Sequence, residues 1–198
     1  MGTQRTILIT GCSSGIGLDA AQTLKKDGWR VFASCRKEED CRRLKSEGFD
    51  SPLIDYSKSE TIESGLKEVL DATGGTLDAL FNNGAYGVGG AAEDVPTGLL
   101  REIFECNFFG WVDLTNRCIK IFRNQGNVGR VVQCSSSLGN VVFPMRRAYS
   151  STKFALEAYC DALRLELKDQ PGIKIVSLNV GPIRTMIREK SVPHFDKW

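Results

Sequence analysis

Polar residues fence a short apolar run near the start of the chain, Thr6-Ile-Leu-Ile-Thr10, the pattern of a strand buried on both faces. A glycine-rich turn follows at once, Gly11-Cys-Ser13-Ser14-Gly15-Ile16-Gly17. Beyond it the period changes. Ile16, Ala20, Ala21 and Leu24 recur every three or four residues, and Gly28 stands where such a helix would stop. Apolar runs at 30–34, 52–54, 78–81, 130–133 and 174–178 predict five further buried strands, and helical periodicity covers 38–47, 60–72, 97–123 and 147–169. Alternation of this kind predicts an α/β fold: a doubly wound parallel sheet with helices on both faces and right-handed crossovers.

The stretch 147–169 carries Phe154, Leu156, Ala158, Leu163, Leu165 and Leu167, so it is apolar on more than one face. Two readings fit: a helix buried both on its sheet and against a second copy of the chain, which predicts a homo-oligomer, or a thick core within one chain. No repeat or low-complexity linker divides the sequence, and 125–129 reads as a turn. The 198 residues therefore predict a single domain.

Composition narrows the field. Hydrophobic residues make up 41% and charged residues 25%, as in ordinary globular proteins. A net charge of +2, with basic residues scattered in pairs, leaves no nucleic-acid footprint. No run approaches eighteen apolar residues, so no membrane-spanning helix is predicted. The seven cysteines are odd in number, contain no CxxC and follow no secretory signal, which predicts a reduced, cytoplasmic protein. Met1-Gly2-x-x-x-Thr6 formally matches an acylation start, but Thr6 opens the first strand and leaves almost no arm for a lipid. His194 is the sole histidine, near the terminus, and reads as a solvated tail residue. That excludes Ser-His-Asp hydrolysis and a His/Cys zinc cluster, so no metal is expected.

The candidate chemistry lies elsewhere. Tyr149 and Lys153, four residues apart, share one helix face. A phenol titrates near 10 and is a poor acid/base at neutral pH, but an ammonium ~4–5 Å away would lower it by about two or three units. Ser136 lies upstream of the pair, between Ser135 and Ser137. The strand, glycine turn and helix start at 6–17 suit a dinucleotide pyrophosphate: the glycines let the backbone approach and the helix N–H groups meet the negative charge.

Taken in order, Thr10-Gly-x-x-x-Gly-x-Gly17, Asn82-Asn83-Gly84-Ala85, Asn107, Ser136, Tyr149-x-x-x-Lys153 and Asn179-Val-Gly-Pro182-Ile-Arg-Thr185 resemble the motifs of the short-chain dehydrogenase/reductase family. The wording is most similar to its hydroxysteroid and retinol dehydrogenase branch. One departure is visible: the family usually reads Asn-Asn-Ala-Gly where this chain has Gly84-Ala85. The resemblance implies an oxidoreductase that interconverts a hydroxyl and a carbonyl on an apolar small molecule of steroid, retinoid or fatty aldehyde type. It implies that Tyr149 is the acid/base, that Ser136 donates to the same substrate oxygen, and that Lys153 tunes Tyr149 and holds the nicotinamide ribose. Asn107 would position a water linking Lys153 to solvent. Gly11, Ser13, Ser14, Ile16 and Gly17 would surround the pyrophosphate and ribose. Asp55 would face the adenine, Asn82 the adenosine ribose, and Pro182 and Thr185 the nicotinamide. Val142, within an apolar stretch at 141–145, would wall the substrate, with Arg146 and Arg147 either pinning an anionic group or facing solvent. Family members usually continue with a substrate-covering segment, a helix and a seventh strand, so the resemblance also implies that C-terminal elements are missing. Epimerases or dehydratases of the related group typically show TGxxGxxG, and non-catalytic nucleotide sensors usually lose the Tyr or Lys; neither pattern is met here.

Cofactor choice is legible separately. In this fold an acid at the end of the second strand binds the ribose 2′-hydroxyl and selects NAD. That position holds Cys35, followed by Arg36 and Lys37, with Ser34 before it. A guanidinium suits a 2′-phosphate, which predicts NADP over NAD. Glu38, Glu39 and Asp40 are expected to open the next helix, where acids favour the N-terminus.

Overall fold

The computed structural model describes residues 4–197; Gly2, and with it the acylation pattern, lies outside them. Among the described residues five strands form one parallel sheet: β1 (Thr6–Ile9), β2 (Arg30–Ala33), β3 (Ala79–Asn82), β4 (Gly129–Ser136) and β5 (Ile173–Val180), in the order β2-β1-β3-β4-β5. β1 and β3 are buried along their length, as their unbroken apolar runs require. Register is continuous from Ile7 opposite Ala79 to Val131 opposite Ile175. The chain runs one way from β1 to β2 and the other way from β3 to β5. Right-handed crossovers therefore put α1 (Gly15–Lys26) on one face and the helices that follow β3 and β4 on the other.

One of the six predicted strands, at 52–54, does not form. Residues 50–54 touch the outer edge of β2 only through isolated bridges, Phe32 with Asp50 and Cys35 with Leu53. Pro52 has no N–H to give a ladder. Ala33 N donates to Asp50 O and Ile54 N to Cys35 O, and the pairing ends there.

α2 (Glu38–Ser46) begins with the three acids, as expected, and α3 (Ser59–Thr73) ends on Gly74 in the left-handed conformation. The predicted helix at 97–123 is three pieces: α4 (Thr97–Phe104), a π turn (Glu105–Phe109) and α5 (Gly110–Asn124). Trp111, Leu114, Cys118 and Phe122 of α5 are buried in the main core with Phe32 and Leu80 of the sheet. A short 3₁₀ turn (Ser137–Gly139) leaves β4.

α6 (Arg147–Glu166) buries Leu156, Cys160 and Leu163, while Phe154 and Leu165 are 41% and 73% exposed. The helix thus has a second apolar face that the described residues do not cover. The terminal segment is not a solvated tail. It forms α7 (Ile187–Asp196), in which His194 stacks on Tyr86 with ring centroids 3.8 Å apart. No helix among the described residues is long and apolar enough to cross a membrane.

Candidate active site

The strand order reverses between β1 and β3, and a cleft opens at their C-terminal ends, where such sheets bind ligands. The glycine turn forms its floor. Gly11 has φ 68°, and a Cβ on it would lie 2.6 Å from the Cα of Gly84. A Cβ on Gly17 would lie 2.6 Å from Asn83 Nδ2 and from Gly11 O. The turns after β1 and β3 therefore meet backbone to backbone. Gly84 is under milder constraint: its Cβ would find neighbours at 3.3–3.5 Å, so the departure from the family's usual alanine needs no unusual backbone.

Ser14 is the N-cap of α1 but makes no side-chain capping bond, and the first turn holds no acid. The N–H groups at this helix start are left for a ligand, an arrangement suited to phosphate. Ser13, Ser14 and Ile16 line the cleft with Arg36, Asp55, Asn83 and Thr185. Arg43 of α2, for which the sequence carries no signal, secures the turn by donating to Ser13 O at 2.9 Å.

Four residues expected at the cofactor lie elsewhere: Asn82, Ser34, Lys37 and Pro182. Asn82 is fully buried and its side chain is committed inside the sheet: Oδ1 accepts from Tyr56 OH at 2.6 Å, and Nδ2 donates to Thr115 Oγ1 and Gln133 Oε1, both at 3.0 Å. Its neighbour Asn83 reaches the cleft instead, donating from Nδ2 to Thr10 O at 3.0 Å. Asn82 still lies within β3 and obeys strand alternation, whereas Asn83 is past the strand's end. Ser34 is likewise enclosed, its hydroxyl without a partner among the described residues, so only Arg36 of the Ser34–Lys37 segment lines the cleft. Lys37 pairs with Glu39. Pro182 is exposed and does not line the cleft.

Asp55 holds Ser57 through its Oδ1, at 3.1 Å to the backbone N–H and 2.8 Å to the hydroxyl. Behind it, Tyr56 spends its single proton on Asn82. Thr10 Oγ1 must therefore donate to Tyr56 OH at 2.6 Å, and it accepts from Asn83 N at 2.9 Å. A fully satisfied polar chain runs beneath the turns from Asn83 through Thr10, Tyr56 and Asn82 to Thr115 and Gln133. Satisfied networks of this kind fix one arrangement of the groups they join.

Ser136, Tyr149, Lys153 and Asn107 are brought together from β4, α6 and the π turn. Ser136 is the last residue of β4; its Oγ accepts from Leu138 N at 3.1 Å. Tyr149 is pushed up to about 12 by burial, and the neighbouring Ser136 hydroxyl pulls it back only partly. The expected lowering by Lys153 is not found. Lys153 is 1% exposed, donates to Cys134 O at 2.8 Å and lies 4.2 Å over the ring of Trp111, with the Tyr149 ring centroid 5.7 Å away. Burial brings Lys153 itself down to about 8. The shared helix face is as predicted, but the long side chain reaches past the phenol to the sheet.

Asn107, also fully buried, brackets one residue: Oδ1 accepts from Tyr86 N at 3.2 Å and Nδ2 donates to Tyr86 O at 2.8 Å. Trp111, which composition gave no reason to single out, supports the same wall by donating to Gly84 O at 2.9 Å. Val142 is 70% exposed and sits apart from this cleft, in a second depression with Phe143, Met145 and Phe154. Arg147 borders that depression and donates to Val95 O at 3.2 Å.

Over the cleft mouth lies α7. Lys190 donates to Ser13 Oγ and Ser14 Oγ, Ser191 accepts from Gly87 N at 3.1 Å, and Lys197 pairs with Glu102 of α4. Arg36 Nη1 is 3.4 Å from His194 Nε2. Since a guanidinium can only donate, His194 presents a lone pair there and is neutral. Burial, and then Arg36, lower its affinity for a proton.

A phosphate-ready turn at the reversal of a parallel sheet places the chain among the dinucleotide-binding α/β proteins. The family model described as short chain dehydrogenase matches residues 5–195, and the chain belongs to that family, whose members are oxidoreductases. It is 42% identical over 182 residues to the uncharacterized oxidoreductase YbbO of Escherichia coli K12, covering 92% of this chain and 67% of that protein. Among solved structures it is similar to a variant of actinorhodin polyketide ketoreductase with NADPH (TM-score 0.87, 29% identity, 100% of this chain and 79% of the other). It is also similar to a 3-ketoacyl-(acyl-carrier-protein) reductase from Brucella melitensis complexed with NADH (TM-score 0.86, 26% identity, 92% and 77%).

Proposed function

We propose that this chain is an NADP(H)-dependent oxidoreductase that interconverts a hydroxyl and a carbonyl on an apolar small molecule of steroid, retinoid or fatty aldehyde/ketone type. The observation that carries the reading is the gathering of Tyr149 and Lys153 on α6 against the end of β4, where Lys153 is anchored to Cys134 O and Ser136 closes the strand, together with a glycine floor that any Cβ on Gly11 or Gly17 would fill. The turn, the uncapped start of α1, Asn83, Asp55 and Thr185 fit a dinucleotide, and Arg36 fits a 2′-phosphate. Bound there, the nicotinamide supplies or accepts the hydride.

The chain's own part is proton and position. Tyr149 keeps its proton at neutral pH and gives it to the carbonyl oxygen; in the reverse direction it must first lose it. Ser136 shares that oxygen and holds it in line. Lys153 contributes positive charge behind the phenol while anchored to Cys134 O, and Asn107 fixes the Tyr86 strip that borders the site. The separate apolar depression lined by Val142, Phe143 and Met145 supports an apolar substrate. The uncovered face of α6 supports a homo-oligomer, and seven free thiols support a reduced cytoplasmic setting.

The test is oxidation of NADPH by wild-type chain and Y149F with a panel of ketones and aldehydes. Loss of turnover by several orders of magnitude in Y149F, with NADPH still bound, is expected. Turnover retained in Y149F, or none in the wild type with any carbonyl although NADPH binds, would sink the assignment.

A further inference from the structure

Lys190 places a cation at the positive end of a helix. Its ammonium donates to Ser13 Oγ at 2.9 Å and to Ser14 Oγ at 2.7 Å, at the N-terminus of α1. Positive charge is disfavoured there, because the first N–H groups of the helix carry partial positive charge of their own. Nothing at the helix start offsets it: the first turn has no acid, and the hydroxyl of Ser14 accepts from Lys190 instead of capping. Among the described residues no carboxylate lies within ion-pair distance of Lys190. Two hydroxyls that can donate as well as accept therefore stand between a lysine and a helix end of like sign. An anion among them would satisfy all three.

The lysine is also held in place. One residue on, Ser191 accepts from Gly87 N, and one turn on, the ring of His194 lies flat on Tyr86, tilted by only 10°. Tyr86 in turn is gripped on both backbone groups by Asn107. α7 is thus docked on the wall opposite the glycine turn, with Lys190 directed back across the cleft.

We propose that Lys190 is a phosphate ligand through which α7 grips the pyrophosphate of the bound dinucleotide, a proposal that rests on reading the cleft as a dinucleotide site. It differs in kind from the role of Arg36. The pyrophosphate is common to both nicotinamide cofactors, and the 2′-phosphate belongs to one. Lys190 should matter equally for NADPH and NADH, while Arg36 should matter for NADPH alone.

The experiment is equilibrium binding of NADPH and of NADH, followed by protein fluorescence, to wild type, K190Q, K190R and R36Q. Lys190 is exposed, so K190Q should keep the wild-type melting temperature without cofactor. Expected is a loss of about tenfold or more for both dinucleotides in K190Q, as for one charge-assisted contact, with K190R within about threefold of wild type. K190Q binding both as tightly as wild type would overturn the proposal. So would a loss confined to NADPH, which would move Lys190 to the 2′-phosphate. Wild type binding neither dinucleotide would sink the cofactor reading itself, a result distinct from a silent Lys190.

Discussion

Asn107 and Tyr86 are joined by a reciprocal pair of hydrogen bonds, side-chain amide to backbone N–H and backbone C=O, at 3.2 and 2.8 Å. Only an amide in this orientation serves both, since one contact needs an acceptor and the other a donor. Asn107→Asp keeps the shape and places a second acceptor against the carbonyl of Tyr86. A buried group left unpaired costs about 1–3 kcal/mol. N107D should therefore unfold at lower urea than wild type, with a melting temperature lower by about 2–10 °C. Unchanged stability would show that the bracket contributes nothing.

Tyr149 is buried enough to hold its proton to about pH 12 without cofactor. As an acid it is ready throughout the neutral range, and as a base it is short of the required form. Carbonyl reduction should be nearly flat from pH 6 to 9, while alcohol oxidation should rise by about tenfold per unit over the upper part of that range. Parallel pH profiles for the two directions would refute this.

Alkaline stability can be signed from the same burial. Cys35 and Cys160 are pushed to about 12 and Cys106 to about 11, from 9. Above pH 9 the unfolded chain loses these protons and the folded chain keeps them, so stability falls as pH rises. Lys153 acts oppositely: lowered to about 8 from 10.5, its burial penalty is relieved between those values. Several thiols oppose one lysine, so the net slope is negative. Melting temperature in the presence of reductant should fall between pH 9 and 10.5, and C160A should show a shallower fall. A rising profile would contradict the balance.

Gly11 and Gly84 face each other, but only Gly11 has a left-handed φ and a 2.6 Å approach. G11A should abolish cofactor binding or folding, whereas G84A should retain both, with a stability change under about 1 kcal/mol. Equal tolerance at the two positions, measured by melting and dinucleotide binding, would show that the turns do not meet as described.

The sequence was legible where period and residue type agree. The run at 6–10 is β1, the acids at 38–40 do start α2, and Tyr149 and Lys153 do share a helix. It was illegible where side-chain direction decides. Nothing local says that Asn82 turns inward and Asn83 outward, because the difference is whether the strand has ended. The reach of Lys153 to Cys134 O depends on a strand nineteen residues earlier. α7 leaves little mark in the sequence because Pro193 lies within its span and its contacts, from Lys190 to Ser13 and from His194 to Tyr86, are distant in sequence. Pro52 misled in the other direction: an apolar run signals burial, and Ile54 is indeed buried, without a ladder to make it a strand.

The π turn at Glu105–Phe109 sets the phase of everything after it. Buried positions step by four through Leu99, Ile103, Asn107 and Trp111. In an ordinary α-helix each such step drifts by about 40°, so three would carry Trp111 off the face that Leu99 starts. The wider turn absorbs that drift and keeps Asn107 and Trp111 aimed at the same wall. Removing one residue from this segment would therefore act like a frameshift in space. The downstream helix would rotate by about 100°, turning the indole from Gly84 and Lys153 while leaving every residue name in α5 unchanged. A segment that tolerates substitution on its outer face should thus reject single-residue insertions and deletions.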